Sequence, residues 1–446
     1  MSNVRRSLAA VALAALVAAC SVSSSDSDTG SGAGARPGTA PRSRAAGAPV
    51  RGLTDDTIRL GVAPLDVERV REKFGVDLGR LPDEVLPALA AATNEAGGIN
   101  GRRVELVINP IMPIGAEDSE RACRELIEDE HVFAVLGTMI GDAPLCVTET
   151  HETPYIALWG LSAARQERSI APFISLEGET GARLRSGIDH LVAEGTLDGA
   201  KVAVYHESDV PSDSIEAQIV EPLEAAGIDV VSTAQLPASG DAVQAASDID
   251  RIFQRFQSDG ADTVIAASGA AVFLPALART SWSPQIVAMN GQFTGGPLDG
   301  LGLTDPAEMK GAIAAIAGTT SDDLVDDPLL AECFDKINAH SDLHLVPEDI
   351  YSESERPGSR NLGQVAGVCQ LWQLAEQVLT AAGDDPSPQS IIDGLADLHD
   401  FPLTGYAHAS LSPEQWGAVE GTRLWHFDVA ADRFVPDGPI VPGERE

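Results

Sequence analysis

Apolar positions along the chain follow two spacings that alternate. Short apolar runs occupy 58–63, 103–109, 132–136 and 154–158, then 201–205, 228–233, 263–267, 285–289 and 312–317. Runs of that length between turn residues read as strands. Between them, apolar residues recur at helical spacing over 82–96, 116–130, 143–151, 179–194, 212–226, 242–258 and 270–279. Glu117, Asp118 and Glu120 fill the first turn of one of these helices, where the helix dipole favours acids. Two further helices are predicted at 327–339 and 361–382, and the tail returns a strand at 422–427. Repeated strand–helix units with unbroken apolar strands predict a parallel sheet covered on both faces. One set of units spans 53–180 and another 181–311, so the fold class is α/β with two doubly wound parallel-sheet lobes. Ligands of such sheets bind beyond the carboxyl ends of the strands, here the cleft between the lobes.

The first residues have a different pattern. Arg5 and Arg6 precede an apolar run from Leu8 to Ala19 that is too short for a membrane span. Residues 1–19 read as a signal peptide. Val17-Ala18-Ala19-Cys20 resembles a bacterial lipobox, so Cys20 is expected to carry lipid. Residues 20–52 hold Ser, Gly, Ala, Pro and Arg with few large apolar side chains. They predict a flexible tether, because little surface is available to offset ordering entropy. The protein is thus expected on the outer face of the cell membrane, touching it through the lipid alone.

Charge narrows the partners. The chain of 446 residues has 67 acidic and 30 basic side chains, a formal charge of −37. Its lysines are Lys73, Lys201, Lys310 and Lys336, and no basic patch is visible. Neutralising phosphates needs clustered Lys and Arg, so nucleic acid and anionic membrane surfaces are excluded as partners. Acidic runs such as 125–130 read as solvated helix faces. Of the cysteines, Cys20 is assigned to lipid, leaving Cys123, Cys146, Cys333 and Cys369 with three possible connectivities. Cys123–Cys146 and Cys333–Cys369 are favoured, because near neighbours in sequence share a helix–strand unit.

Enzyme and metal motifs are incomplete. His340 and His344 have the i, i+4 spacing of a metal pair but no third ligand, and read as a surface pair. Gly160-Leu161-Ser162-Ala163-Ala164 lacks the last glycine of a nucleophile elbow. No Walker sequence and no Gly-x-Gly-x-x-Gly follow the first strand. The expectation is a binder without catalysis, cofactor or metal.

Residues 94–137 read NEAGGINGRRVELVINPIMPIGAEDSERACRELIEDEHVFAVLG. NEAGGINGRRVELV and RELIEDEHVFAVLG together resemble substrate-binding proteins of branched-chain amino-acid-type ABC transporters. Gly97-Gly98 suits a helix end and Asn100-Gly101 a tight turn, which agrees. The resemblance implies a type I periplasmic-binding fold with a three-strand hinge near 176–181, 313–318 and 412–421. It implies an N-terminal lobe of 53–178 plus 316–415 and a C-terminal lobe of 179–315 plus 416–440. It further implies a monomer that captures a small polar ligand (amino acid, amide or similar) and delivers it to ABC permease subunits; a ligand-sensing module or a non-transport scaffold of the same fold is the alternative.

The family's site positions carry over region by region. After the third strand they fall on Thr138 and Met139, where a helix start near Gly141 could hold an anion. Thr138 reads equally well as a helix cap. After the fourth strand come Trp159, Gly160 and Ser162, with Trp159 a ligand wall or simple packing. In the second lobe they fall on Val210, Ser268, Asn290 and Gln292. The loop 207–212 lacks the family's aromatic residue, and Asn290 and Gln292 stand where amino-acid binders place an acid. An amide, a polyol or another neutral molecule therefore suits these positions about as well as an α-amino acid.

Overall fold

The computed structural model describes residues 50–74, 83–112, 117–207, 210, 212–237, 242–268, 270–290, 306–347, 362–419 and 421–441. The signal segment, Cys20, nearly all of the tether and Gln292 lie outside the described residues.

The first strands are β1 (Thr57–Ala63), β2 (Arg103–Ile108), β3 (Ala134–Gly137), β4 (Tyr155–Ala157) and β5 (Phe173–Glu177). A second series follows: β6 (Lys201–Glu207), β7 (Asp229–Leu236), β8 (Thr263–Ala266), β9 (Gln285–Ala288) and β10 (Ile313–Ile316). A hairpin, β11 (Phe401–Leu403) and β12 (Tyr406–Ala409), precedes β13 (Gly417–Val419), β14 (Thr422–Asp428) and β15 (Arg433–Val441). The six-stranded sheet runs β13-β5-β4-β3-β1-β2, parallel throughout. The seven-stranded sheet runs β15-β14-β10-β9-β8-β6-β7. Its β14 and β15 are antiparallel, so the tail departs from the all-parallel expectation. β5, β13 and β15 are not among the predicted strands. β13 is very short, and β15 is exposed over much of its length, which erases the apolar signature.

Each sheet has its own core. The first joins Ile58, Leu60 and Leu136 to Leu330, Trp372 and Leu374, so the helices Pro328–Ala339 and Leu362–Ala381 return to the first sheet. In the second, Leu184, Ile188 and Ile219 cover one face, and Phe253, Phe256 and Phe273 the other. The chain passes between the sheets after β5, after β10 and between β13 and β14. At the first passage the backbones nearly touch: a Cβ on Gly417 would lie 2.6 Å from the Gly178 Cα, so only glycine fits there.

Disulfides join Cys123 to Cys146 and Cys333 to Cys369. In the acidic run 125–130, Glu128 and Asp129 are exposed as expected, while Glu125 and Glu130 are half-buried and ion-paired. Arg59 on β1 reaches Glu130 at 2.5 Å, and Arg121 reaches Glu125 at 2.6 Å with Asn109 beside it at 2.7 Å. The helix 117–129 and Glu130 after it thus lie against Arg59 of β1 and Asn109 just beyond β2.

Candidate functional site

In a sheet of order 2-1-3-4-5 the crossovers part to opposite faces between strands 1 and 3, leaving a crevice beyond their carboxyl ends. The first sheet has that order, and a cavity of about 130 Å³ lies there. Val62, Pro64 and Leu65 line it from the end of β1, Gly137 and Thr138 from β3, and Leu158 and Trp159 from β4. The opposite wall is the helix Leu362–Ala381, through Gly363, Gln364, Gly367, Val368 and Leu371. Gly363, Gly367 and Leu371 fall on one helix face at four-residue spacing, and the two glycines leave the volume open. Gly137 closes the floor. Its φ is +154°, and a Cβ would lie 2.5 Å from the Ala63 carbonyl oxygen, so only glycine lets β3 end so close to β1.

Thr138 is 6% exposed, and its hydroxyl has no hydrogen-bond partner among the described residues. An unsatisfied buried hydroxyl carries a desolvation cost of about 1–3 kcal/mol. The next amides are engaged: the Met139 N–H donates to the Tyr155 hydroxyl at 2.7 Å and the Ile140 N–H to Ser119 Oγ at 3.2 Å. The helix start near Gly141 therefore does not offer those two amides to an anion. Burial pushes the Tyr155 hydroxyl up, against the opposing pull of the Met139 N–H and the Arg165 charge, so it stays protonated. Arg165 clamps the rim. Its guanidinium donates to the Gly160 carbonyl at 2.6 Å and the Gly141 carbonyl at 2.8 Å, tying the turns after β3 and β4 together.

Of the site residues predicted from sequence, Thr138 and Trp159 line this cavity together, and Trp159 is 40% exposed. The Met139 side chain is buried, and Gly160 takes a positive φ of 98° in the turn. Ser162 caps the helix Ala163–Arg168, its hydroxyl accepting from the Arg165 N–H at 3.3 Å. In the second sheet, Ser268 Oγ accepts from the Glu207 N–H at 2.9 Å, and the Val210 carbonyl accepts from His206 Nδ1 at 2.9 Å. Val210, Ser268 and Asn290 follow β6, β8 and β9 and do not line the cavity. Arg165 and the residues of the helix 362–381 escaped the sequence reading. The helix lies more than two hundred residues from Thr138, and the spacing of Gly363 and Gly367 was its one local signal.

His340 pairs with Glu95 at 3.0 Å rather than with His344. Cys123, Cys146 and His151 come together, but the disulfide occupies both sulfurs, so the trio is no thiolate metal site.

A family profile described as "Periplasmic binding protein" matches residues 84–417. No curated protein sequence matches at a significant level. Among solved structures, a solute-binding protein of an ABC transporter from R. palustris, in complex with 4-hydroxybenzoate, is 16% identical with a TM-score of 0.58. The match covers 86% of this chain and 96% of that one. A substrate-binding protein from Desulfitobacterium hafniense in complex with Leu is 15% identical with a TM-score of 0.56, covering 85% and 100%. A fatty acid ABC transporter substrate-binding protein from Thermomonospora curvata is 16% identical with a TM-score of 0.58, covering 88% and 94%. Likeness at such identities speaks to the fold.

Proposed function

Because the chain belongs to the periplasmic binding protein family, we propose that it captures a small solute between its lobes and hands it to the permease subunits of an ABC importer. The observation that carries this reading is the cavity on the first-lobe side, at the β1/β3 crevice, lined mostly by apolar side chains and holding the Thr138 hydroxyl, which is buried without a partner among the described residues. Such a place favours a ligand over water. Apolar surface is gained by burial, and the Thr138 hydroxyl gains the partner it lacks. Neighbours of the same fold are named for 4-hydroxybenzoate, Leu and fatty acid, solutes that share an apolar body. We read the protein as a binder and not a catalyst.

The proposal extends to the parts that position the site. The lobes are 53–178 plus 317–419 and 179–316 plus 421–440, the expected switches at 315 and 415 moving because Ile316 pairs in the second sheet and β13 in the first; their movement about the three passages alternates open and closed forms. Val210, Ser268, Asn290 and Gln292 would meet the ligand from the second lobe on closure. Residues 1–19 export the chain, and lipid on Cys20 holds a monomer at the outer membrane face through the 20–52 tether. No helix among the described residues is long and apolar enough to cross a membrane.

A thermal-shift screen of the chain from residue 21 tests the binding role. A solute present at 100 times its Kd stabilises the fold by about 2.7 kcal/mol. No shift from any class of small molecule, with a cooperative melt retained, would reject solute binding. Loss of the full-length chain from the membrane fraction on Cys20→Ser tests the anchor.

A further inference from the structure

We propose that the cavity selects a one-ring solute: an uncharged monocyclic body enters between β3 and the helix Leu362–Ala381, and a hydroxyl or carbonyl on the ring bonds to Thr138. The inference rests on the solute-binding reading and narrows it to a substrate class. Size is the first argument. Apolar protein cavities of about 150 Å³ accept benzene, and this one measures about 130 Å³. A long chain or a fused ring system would have to extend out through the open mouth.

Polarity is the second argument. The side chains facing the space include Val62, Leu65, Leu86, Leu158, Val368 and Leu371, with the neutral amide of Gln364, and among the described residues no ionisable side chain lines it. A carboxylate or ammonium placed here would lose its hydration without a counter-charge. A charged substituent would therefore stay at the mouth, where Trp159 is 40% exposed and can stack on the ring. Inside, Thr138 is the buried group that lacks a partner, so one polar substituent on the ring is matched.

Gly367 is the third argument, because it sets the size limit. It sits within the helix, and a Cβ there would meet only the Leu158 side chain, at 3.4 Å, an ordinary contact. A methyl group at 367 fits the protein without strain and takes up space next to Leu158, a lining residue. Gly367→Ala therefore separates binding from folding: it narrows the cavity while improving helix propensity.

The test is calorimetry and thermal shift on the chain from residue 21, using phenol, cyclohexanol and benzene, with leucine, glutamate, decanoate, glucose and urea alongside. The expected result is binding of phenol or cyclohexanol. Gly367→Ala weakens it at least tenfold, with the melting temperature of the free protein unchanged or raised. Thr138→Val weakens phenol about tenfold and leaves benzene unchanged. Binding of a non-cyclic solute that is indifferent to Gly367→Ala would overturn the one-ring assignment and leave the solute-binding reading standing. Silence from every compound, with a cooperative melt, would overturn both.

Discussion

The two disulfides brace opposite walls of the cavity, and their removal should be costly. Cys146 follows the turn that carries Thr138, and Cys369 lies two residues beyond Gly367. Cross-linking lowers the entropy of the unfolded chain by about 2.1 + 1.5R ln n cal/mol/K, with n the loop length. The separation of 23 residues gives about 3.4 kcal/mol for Cys123–Cys146, and that of 36 gives about 3.8 kcal/mol for Cys333–Cys369. Their sum of about 7 kcal/mol is a large share of the roughly 5–15 kcal/mol that holds a typical domain. Alanine is the right replacement. Cys123 and Cys369 are fully buried, and serine would add an unsatisfied hydroxyl to the core. The assay is urea unfolding of Cys333→Ala/Cys369→Ala without reductant, with wild type in parallel. A loss of about 3–4 kcal/mol is expected, with the denaturant slope unchanged or steeper as the freed unfolded chain exposes more surface. A loss under about 1 kcal/mol at unchanged slope would refute the argument, since the cross-link would then constrain little of the unfolded chain.

Three further outcomes follow from the site and the passages between the sheets. Trp159→Ala should weaken binding of the solute found in the screen at least fivefold and leave the melting temperature within about 2 °C, because the side chain is 40% exposed; titration calorimetry and a melt check both. Arg165→Ala frees the turns after β3 and β4, so affinity should fall by about tenfold and amide exchange at 139–142 and 158–161 should quicken; unchanged exchange would remove its clamping role. Arg423 on β14 reaches Asp323 at 2.8 Å, and Leu324 beside that acid lies in the first core, so the ion pair joins the lobes. Burial pushes the Asp323 carboxyl up, but hydrogen bonds from Arg423 and Thr320 outweigh it and hold the group below the usual carboxylate range. A depressed carboxyl stabilises the fold above its unfolded pKa of about 3.9 and loses that effect as pH falls through the folded value. The melting gap between wild type and Asp323→Asn should therefore persist at pH 7 and 5 and narrow as pH falls below the unfolded value of about 3.9; a gap that widens on acidification would contradict the pairing.

Much of the fold was legible because each unit repeats one physical pattern. The strands β1, β3, β6 and β8 are buried on both faces and read as apolar runs, and the helix Ala242–Ser258 keeps its amphipathic spacing throughout. β15 was not legible, because an exposed edge strand needs no apolar run. Thr138 and Trp159 could be placed beside the crevice because they follow strand ends, where doubly wound sheets put their sites. Ser162 has the same position, but its hydroxyl caps a helix; a capping serine and a ligand-holding serine look alike in sequence.

The sequence by itself determined the alternation of strands and helices, the excess of acidic side chains and the short apolar run ending before Cys20, because these depend on local composition and spacing. Only the tertiary structure decided what the site is made of. The cavity exists because a helix beginning at Leu362 returns to the first sheet and sets Gly363 and Gly367 opposite Thr138. That distance along the chain carries no periodic signal, and the emptiness of a space depends on side chains that are absent from it. The same holds for Arg165, whose carbonyl partners belong to two turns that meet only when β3 and β4 pair.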